Sequence, residues 1–154
     1  MQIKIRPLET KDAYTSVNWR NMPEIWAQTG SAPNKKVTIE DELEWIKKVT
    51  ADKTSRRFAI IVDDMYVGNV YLTDIKDGVA EYHIFIGDKN YWGKGVAREA
   101  SKQIIEFGIS NLRLKAIELG VQETNAAAFH LYKSLGFNKT GMDGRFTRMR
   151  LDLI

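Results

Sequence analysis

The chain reads Tyr91-Trp92-Gly93-Lys94-Gly95-Val96-Ala97 where a predicted strand, Val79–Ile86, meets a long predicted helix. Apolar residues then recur at helical spacing on one stripe of that helix: Val96, Ala100, Ile104 and Phe107. Glycines in such a turn let backbone N–H groups approach an anion, and the helix N-terminus adds a partial positive charge. The turn therefore predicts a phosphate or pyrophosphate site, although an isolated Gly-x-Gly is also typical of a turn that only needs glycine.

Two widespread phosphate-binding motifs do not fit this turn. The dinucleotide pattern G-x-G-x-x-G/A requires a small residue at position 98, where the chain has Arg98. The P-loop requires four residues between its two glycines, whereas five separate Gly87 from Gly93. The turn is therefore neither a Rossmann fingerprint nor a P-loop.

A second block follows one predicted strand later and reads Asn125-Ala126-Ala127-Ala128-Phe129-His130-Leu131-Tyr132-Lys133-Ser134-Leu135-Gly136-Phe137. Its apolar residues share one helical stripe with Tyr132, which is typical of a core tyrosine. A tyrosine is also protonated at neutral pH and can act as a general acid. Asn125 stands where a helix cap is expected, and Gly136 where a left-handed residue ends a helix.

Together the two blocks resemble the GNAT superfamily of N-acetyltransferases. Residues 90–95 match its coenzyme A loop, Q/R-x-x-G-x-G/A, except that Asn90 replaces Gln or Arg. Residues 125–137 match N-x-x-A-x-x-L-Y-x-x-x-G-F at every fixed position. The resemblance implies direct acetyl transfer from acetyl-coenzyme A (acetyl-CoA) to an amine without a metal, with Tyr132 as the general acid. The residues expected to bind the cofactor are Phe85, Ile86, Tyr91, Trp92, Gly93, Lys94, Gly95, Val96, Ala97, Asn125, Phe129 and Tyr132.

A general base is expected on the strand before the glycine turn. Glu81 and His83 are two residues apart, so both side chains point to one face of that strand. GNAT enzymes often carry an acidic residue here, which makes Glu81 the first choice, acting directly or through water, and His83 the second. Both residues also fit a structural role, as a surface carboxylate and a half-buried histidine.

The acceptor is expected to bind the first part of the chain. Residues 17–25 resemble the W-R-N-x-P-x-I segment of GNAT enzymes that acetylate amino sugars on nucleotide carriers, as in the pseudaminic-acid pathway. Trp19 would supply a stacking face, Arg20 a phosphate-pairing guanidinium and Asn21 an amide, together with Glu81 and His83. The first three also fit a core residue, a surface ion pair and a helix end.

Three function classes follow from these residues. The first is an N-acetyltransferase acting on a small primary amine, with an amino-sugar nucleotide as the first expectation. The alternative is a protein N-terminal or polyamine acetyltransferase, because related segments occur in the ribosomal-protein and polyamine groups. A non-catalytic acyl-CoA-binding module belongs to another class and would not need Tyr132, so the presence of this residue disfavours it.

Composition narrows the remaining possibilities. The 154 residues suit one domain over 1–154, and 23 basic against 20 acidic side chains give a net charge of only +3, so no nucleic-acid partner is expected. The chain has no cysteine and two histidines, which excludes disulfides and argues against a metal centre. No apolar run is long enough for a bilayer and no signal peptide is expected, so a cytoplasmic location is the expectation, and a homodimer is the assembly considered.

The pattern of the whole chain predicts the element order β-α-α-β-β-β-α-β-α-β-β. With the resemblance, this order predicts an α/β (α+β) GNAT fold with a central mixed, mostly antiparallel sheet of about six to seven strands and about four helices. The front half is expected to contain a strand over Gln2–Pro7, a helix over 10–21 with Thr10 as its cap, a helix over 24–28 and a turn over 30–36. A helix over 39–50 is expected after the capping pattern Thr38-Ile39-Glu40-Asp41, followed by a hairpin over 57–73. Strands over 79–86, 115–121, 137–142 and 147–153 and a helix over 125–134 are expected to complete the chain.

Overall fold

Seven strands form one sheet in the computed structural model, which describes residues 1–25 and 36–154. In chain order they are β1 (Ile3–Pro7), β2 (Arg56–Val62), β3 (Met65–Lys76), β4 (Val79–Ile86), β5 (Ala116–Gln122), β6 (Asn138–Asp143) and β7 (Phe146–Asp152). Their order across the sheet is β1-β2-β3-β4-β5-β7-β6, and every neighbouring pair is antiparallel except β4 and β5. The predicted mixed, mostly antiparallel sheet is confirmed.

Four α-helices lie wholly within the described ranges and cover the two faces of this sheet. They are α1 (Ala13–Arg20), α2 (Ile39–Ala51), α3 (Val96–Ser110) and α4 (Ala126–Ser134), with 3₁₀ turns at Thr10–Asp12 and Lys89–Tyr91. Alternation along β2 sends Ile60 and Val62 into the core beneath α3, and Ala59 and Ile61 into the core beneath α1 and α2. The sheet therefore separates two cores.

The first helix begins later than the sequence predicted. A helix capped by Thr10 was expected, whereas Glu9 is the N-cap of a 3₁₀ turn and α1 begins only at Ala13. The Asp12 carboxylate accepts from the Glu9 backbone N–H at 2.8 Å and pairs with Arg6 of β1 at 2.7 Å. These contacts with the neighbouring strand fix the tight turn, so its form depends on tertiary structure.

Local signals set the other helix ends. The capping box predicted at Thr38 is confirmed, because its hydroxyl accepts from the Asp41 N–H at 3.1 Å and the Asp41 carboxylate accepts in return. Gly136 has a φ of +104° just after α4, as expected for a left-handed helix end. Of the short helix expected over 24–28, residues 24–25 are helical and the rest lies outside the described residues, as does most of the turn expected over 30–36.

The sheet opens at the parallel pair. β4 and β5 are paired only through Val79–Glu81 and Ala116–Glu118, although both strands continue beyond these residues. β5 keeps its pairing with β7 along its whole length. The diverging ends of β4 and β5 therefore leave a cleft in the middle of the sheet.

Candidate active site

A cavity of about 980 Å³ lies in the cleft between β4 and β5. Alternation along β4 lines it with two sets of side chains. One set points toward α3 and α4, and the other toward the face that carries α1 and α2. The first set is Tyr82, Ile84 and Ile86, and the second is Glu81, His83 and Phe85. The cavity can thus be reached from both faces of the sheet.

The glycine turn forms one end of the cavity. Gly93 and Gly95 have φ values of +70° and +80°, which explains why glycine stands at both positions. No atom lies within 4 Å of the place that a Cβ would occupy at either residue. Gly95 is also the N-cap of α3, so the free N–H groups of the first helical turn face this open space. The turn fits the pyrophosphate of acetyl-CoA that the sequence predicted there.

Backbone groups of β4 face the cleft next to this turn. The Ile86 carbonyl accepts from the Trp92 indole N–H at 2.9 Å, while the Gly87 N–H donates to Val67 of β3 at 2.8 Å. Because N–H and C=O of one strand residue point the same way, the Ile86 amide faces the cleft and the Phe85 amide faces β3. The Ile86 amide, and by the same alternation that of Ile84, can donate to a carbonyl oxygen bound in the cleft.

Tyr132 contributes the hydroxyl group on the α4 side of the cavity. Its side chain is buried and packs edge-to-face on Tyr82, with ring centroids 5.6 Å apart. Burial raises the pKa of Tyr132 to about 12, with a smaller opposing effect from hydrogen bonding to Tyr82. Asn125 caps α4 by accepting from the Ala128 N–H at 3.0 Å and also lines the cavity. At neutral pH Tyr132 is therefore a protonated group at the cavity wall.

Glu81 lines the cavity with a partner that the sequence did not reveal. Arg148 of β7 donates to both of its carboxylate oxygens, at 2.7 and 2.8 Å. This pairing raises the pKa of Arg148. Arg148 lies opposite Gly120 of β5, and a Cβ at Gly120 would be 3.1 Å from its Nη1 atom. A glycine in β5 therefore gives the guanidinium room to reach across the strand to β4.

His83 lies in a row of three side chains that crosses β2, β3 and β4. Arg57, Tyr71 and His83 are in register, with the Arg57 guanidinium 4.2 Å from the Tyr71 ring centroid and the Tyr71 and His83 rings stacked at 5.1 Å. Although part of the side chain stays exposed, loss of hydration lowers the pKa of His83; Glu81 opposes this and Arg57 adds to it. Thr73 hydrogen-bonds the Nε2 atom at 3.1 Å. A neutral, oriented imidazole thus faces the cavity beside Glu81.

Three residues predicted to contact the acceptor do not line this cavity. Trp19 is buried against Tyr66 and Phe85, and it lies so close to Gly87 that a Cβ there would overlap its ring. The contact of Trp19 with the acceptor stays a prediction, and the buried position of its ring argues against it.

The next two residues are also held by contacts within the protein. The Arg20 side chain pairs with the fully buried Glu42 at 3.4 Å and stacks on Trp45. Asn21 bonds both backbone groups of Val37 at 2.9 Å. Arg20 thus forms an ion pair, although with a buried carboxylate and not at the surface as the structural alternative had it. Asn21 lies at the helix end that its alternative described.

Two of the expected cofactor residues also lie outside the cavity lining. The ammonium group of Lys94 lies 6.0 Å from the Tyr91 ring centroid, and Phe129 packs on the core beneath α3 and α4. The other ten line it: Phe85, Ile86, Tyr91, Trp92, Gly93, Gly95, Val96, Ala97, Asn125 and Tyr132. Within residues 1–25 and 36–154 there is no cluster of three or more potential metal ligands. In the same ranges, the helices are too short or too polar to cross a bilayer.

Comparisons with known proteins agree with this arrangement. A family model described as an acetyltransferase (GNAT) domain matches residues 2–138. An uncharacterized N-acetyltransferase, p20 of Bacillus licheniformis, is 30% identical over 146 residues, covering 92% of this chain and 82% of the relative. The spermidine N(1)-acetyltransferase of Escherichia coli is 30% identical over 141 residues, covering 90% of this chain and 74% of that protein.

A solved structure extends the likeness to three dimensions. The crystal structure of spermidine N-acetyltransferase from Vibrio cholerae in complex with CoA and spermine has a TM-score of 0.86 to this chain at 27% identity. The match covers 98% of this chain and 95% of that one. These relatives support the polyamine alternative better than the amino sugar that the sequence favoured.

Proposed function

The chain belongs to the GNAT family of N-acetyltransferases, which use acetyl-CoA, and from this premise we propose that it acetylates a primary amine of a small molecule. One observation carries the proposal. The cleft between β4 and β5 brings the glycine turn, the Tyr132 hydroxyl, and the Glu81 and His83 side chains to one cavity. An anion site, a proton donor and two candidate bases are the groups that amine acetylation requires.

Each group then has a place in the reaction. The thioester of acetyl-CoA supplies an acetyl group that a neutral amine can attack. Because a free amine is mostly cationic at neutral pH, Glu81 or His83 accepts its proton, directly or through water. The Ile86 amide donates to the carbonyl oxygen as negative charge develops on it. As the C–N bond forms and the C–S bond breaks, Tyr132 donates its proton to the sulfur that leaves. The nitrogen loses its second proton to water, which leaves a neutral amide.

The substrates named for the relatives suggest which amine to test first. Spermidine acetyltransferases from two organisms resemble this chain over nine-tenths or more of its length, so a polyamine is the first acceptor to test. The cavity adds a constraint, since Glu81 is already paired with Arg148. A polyamine would therefore compete with, or add to, a cation that the protein itself supplies.

A screen of amines with detection of the released thiol tests the proposal. Spermidine, spermine, 4-amino-sugar nucleotides and peptides with free N-termini would be compared at equal concentration, with mass spectrometry of the products. We expect thiol release to depend on one class of amine and the product to gain one acetyl group. If thiol release with each of the amines equals thiol release without any amine, the proposal is wrong.

A further inference from the structure

Two buried hydroxyl groups lie behind Tyr132. Tyr82 Oη and Ser101 Oγ are 2.5 Å apart, and Ser101 donates to the Ala97 carbonyl at 2.6 Å. Both side chains are buried, Ser101 completely. Because a serine hydroxyl has one hydrogen, its donation to Ala97 requires that Tyr82 donate to Ser101. The structure thus contains an ordered chain of donors from Tyr82 to the first turn of α3.

Tyr82 also acts on Tyr132. Their rings meet edge-to-face, and a hydrogen bond that Tyr82 can donate to the deprotonated Tyr132 oxygen lowers the pKa of Tyr132 against the larger effect of burial, which raises it. Burial raises the pKa of Tyr82 well above its usual value, and the neighbouring Tyr132 raises it further. Tyr82 therefore keeps its proton when Tyr132 loses one.

This arrangement bears on the step of the proposed reaction in which Tyr132 gives up its proton. A hydroxyl with a pKa of about 12 is a poor proton donor to a thiolate, because an ordinary thiol has a pKa of about 8.5. A hydrogen bond to the deprotonated Tyr132 oxygen makes the proton transfer less unfavourable, because hydrogen bonds to charged groups are stronger than those between neutral groups. Tyr82 is buried, and its ring packs directly on the ring of Tyr132.

We propose that Tyr82 and Ser101 form a hydrogen-bond relay that reverses direction when Tyr132 gives up its proton, and this rests on the proposed function. Before transfer, Tyr82 donates to Ser101 and Ser101 to Ala97. When the Tyr132 proton has moved to sulfur, the Tyr82 hydrogen turns to the Tyr132 oxygen and the Ser101 hydrogen turns to Tyr82. Neither Tyr82 nor Ser101 loses its proton, and solvent reprotonates Tyr132. Both are positioning residues that act through Tyr132.

The first test needs no acetyl-CoA. A ring-fluorinated tyrosine at position 132 titrates at lower pH than tyrosine and can be followed by fluorine NMR in the free protein. We expect Tyr82→Phe to raise the pKa at position 132 by roughly one to two units, and Ser101→Ala to raise it less. Tyr14→Phe, which removes an exposed hydroxyl on α1, is the matched control. An unchanged pKa in Tyr82→Phe would overturn the relay.

The second test is kinetic. Tyr82→Phe should lower kcat roughly 10- to 100-fold with unchanged affinity for acetyl-CoA, and a thioester with a more acidic thiol should narrow the difference. In a Tyr132→Phe background the same change should cost almost nothing further. Full additivity of the two losses would contradict the relay. If the wild-type protein acetylates no amine, the proposed function fails, whereas the NMR result still decides whether Tyr82 acts on Tyr132.

Discussion

Arg148 holds both carboxylate oxygens of Glu81 with its two terminal nitrogens, at 2.7 and 2.8 Å. The two residues are on β7 and β4, and the pairing spans the intervening strand β5. It places one carboxylate and one guanidinium at the wall of the cavity, on the side where we propose that the amine binds. An incoming ammonium group therefore meets a carboxylate that already has a partner, so this pair should influence which amines bind.

Gly120→Ala tests whether activity requires the pairing of Arg148 with Glu81. The added Cβ would lie 3.1 Å from Nη1, so the guanidinium must move by a few tenths of an ångström. We expect kcat/KM for the amine to fall roughly three- to tenfold, with little change in stability because a partly exposed ion pair contributes only about 0–1 kcal/mol. Gly141→Ala on β6 is the control, since no atom lies within 4 Å of its Cβ position. Equal kinetics for the two variants would show that the pairing is not needed.

Gly95→Asp tests the anion site at the glycine turn. The carboxylate would enter the open space next to the first turn of α3, where it repels a pyrophosphate. We expect calorimetry to show at least a tenfold loss of acetyl-CoA affinity. Gly144→Asp is the matched control, because Gly144 also has a positive φ, +59°, and open space at its Cβ position but lies in the β6–β7 turn. The backbone strain is thus similar in both, and equal affinity in both would contradict the assignment.

The sequence predicted those features that local residues determine. The capping box at Thr38, the cap at Asn125 and the left-handed Gly136 depend on side chains within four residues of one another. The glycine turn likewise lies between a strand and a long helix, as the local pattern predicted. The family resemblance added the sheet type, a mixed and mostly antiparallel sheet of about six to seven strands, which the seven observed strands confirm.

The features that the sequence missed are non-local. Glu81 and Arg148 are 67 residues apart, and their contact requires β5 between them with a glycine at position 120. The alternation of Arg148 with Met149 indicates a sheet face but not the strand that lies beside it. Trp19 was expected at a ligand because of its motif, whereas its burial depends on Tyr66 and Phe85 of two other strands. Such placements follow from strand order, which no short segment encodes.

The lowered pKa of His83 predicts how stability depends on pH. Between the folded and the unfolded pKa of about 6.5, the unfolded chain binds more protons than the folded one, so stability falls as pH falls through this window. We expect denaturant unfolding of His83→Gln to show a flatter dependence between about pH 7 and pH 5. The effect should be modest because part of the ring is exposed. If the stability of the variant depends on pH as steeply as that of the wild-type protein, groups other than His83 cause the loss of stability at low pH.

Glu81→Gln distinguishes the two candidate bases. The amide keeps the shape of the side chain but cannot accept a proton, so kcat/KM should fall most at low pH and partly recover at high pH, where the amine is already neutral. The same pH profile measured on His83→Gln is the comparison. If Glu81→Gln retains the wild-type profile and His83→Gln loses its acid limb, the imidazole is the base and Glu81 only orients Arg148.

Tyr132→Phe makes the sharpest distinction, because three roles of the hydroxyl predict different kinetics. If the ring only packs on Tyr82, turnover should stay nearly intact and unfolding should change by about 1 kcal/mol. If the hydroxyl only positions acetyl-CoA, affinity should fall while turnover at saturation does not. As a general acid, its loss should lower turnover by roughly 10²- to 10⁴-fold with affinity little changed. We expect the last result under conditions where chemistry limits the rate.

A change of donor then tests the proton itself. A thioester whose thiol is much more acidic releases a thiolate that needs no proton, so the variant and the wild-type protein should approach one another in turnover. The wild-type rate on acetyl-CoA and on the activated donor, measured with the same amine, is the control for a change in the rate-limiting step. If Tyr132→Phe stays equally impaired on both donors, the hydroxyl matters for another reason and the sulfur takes its proton from elsewhere.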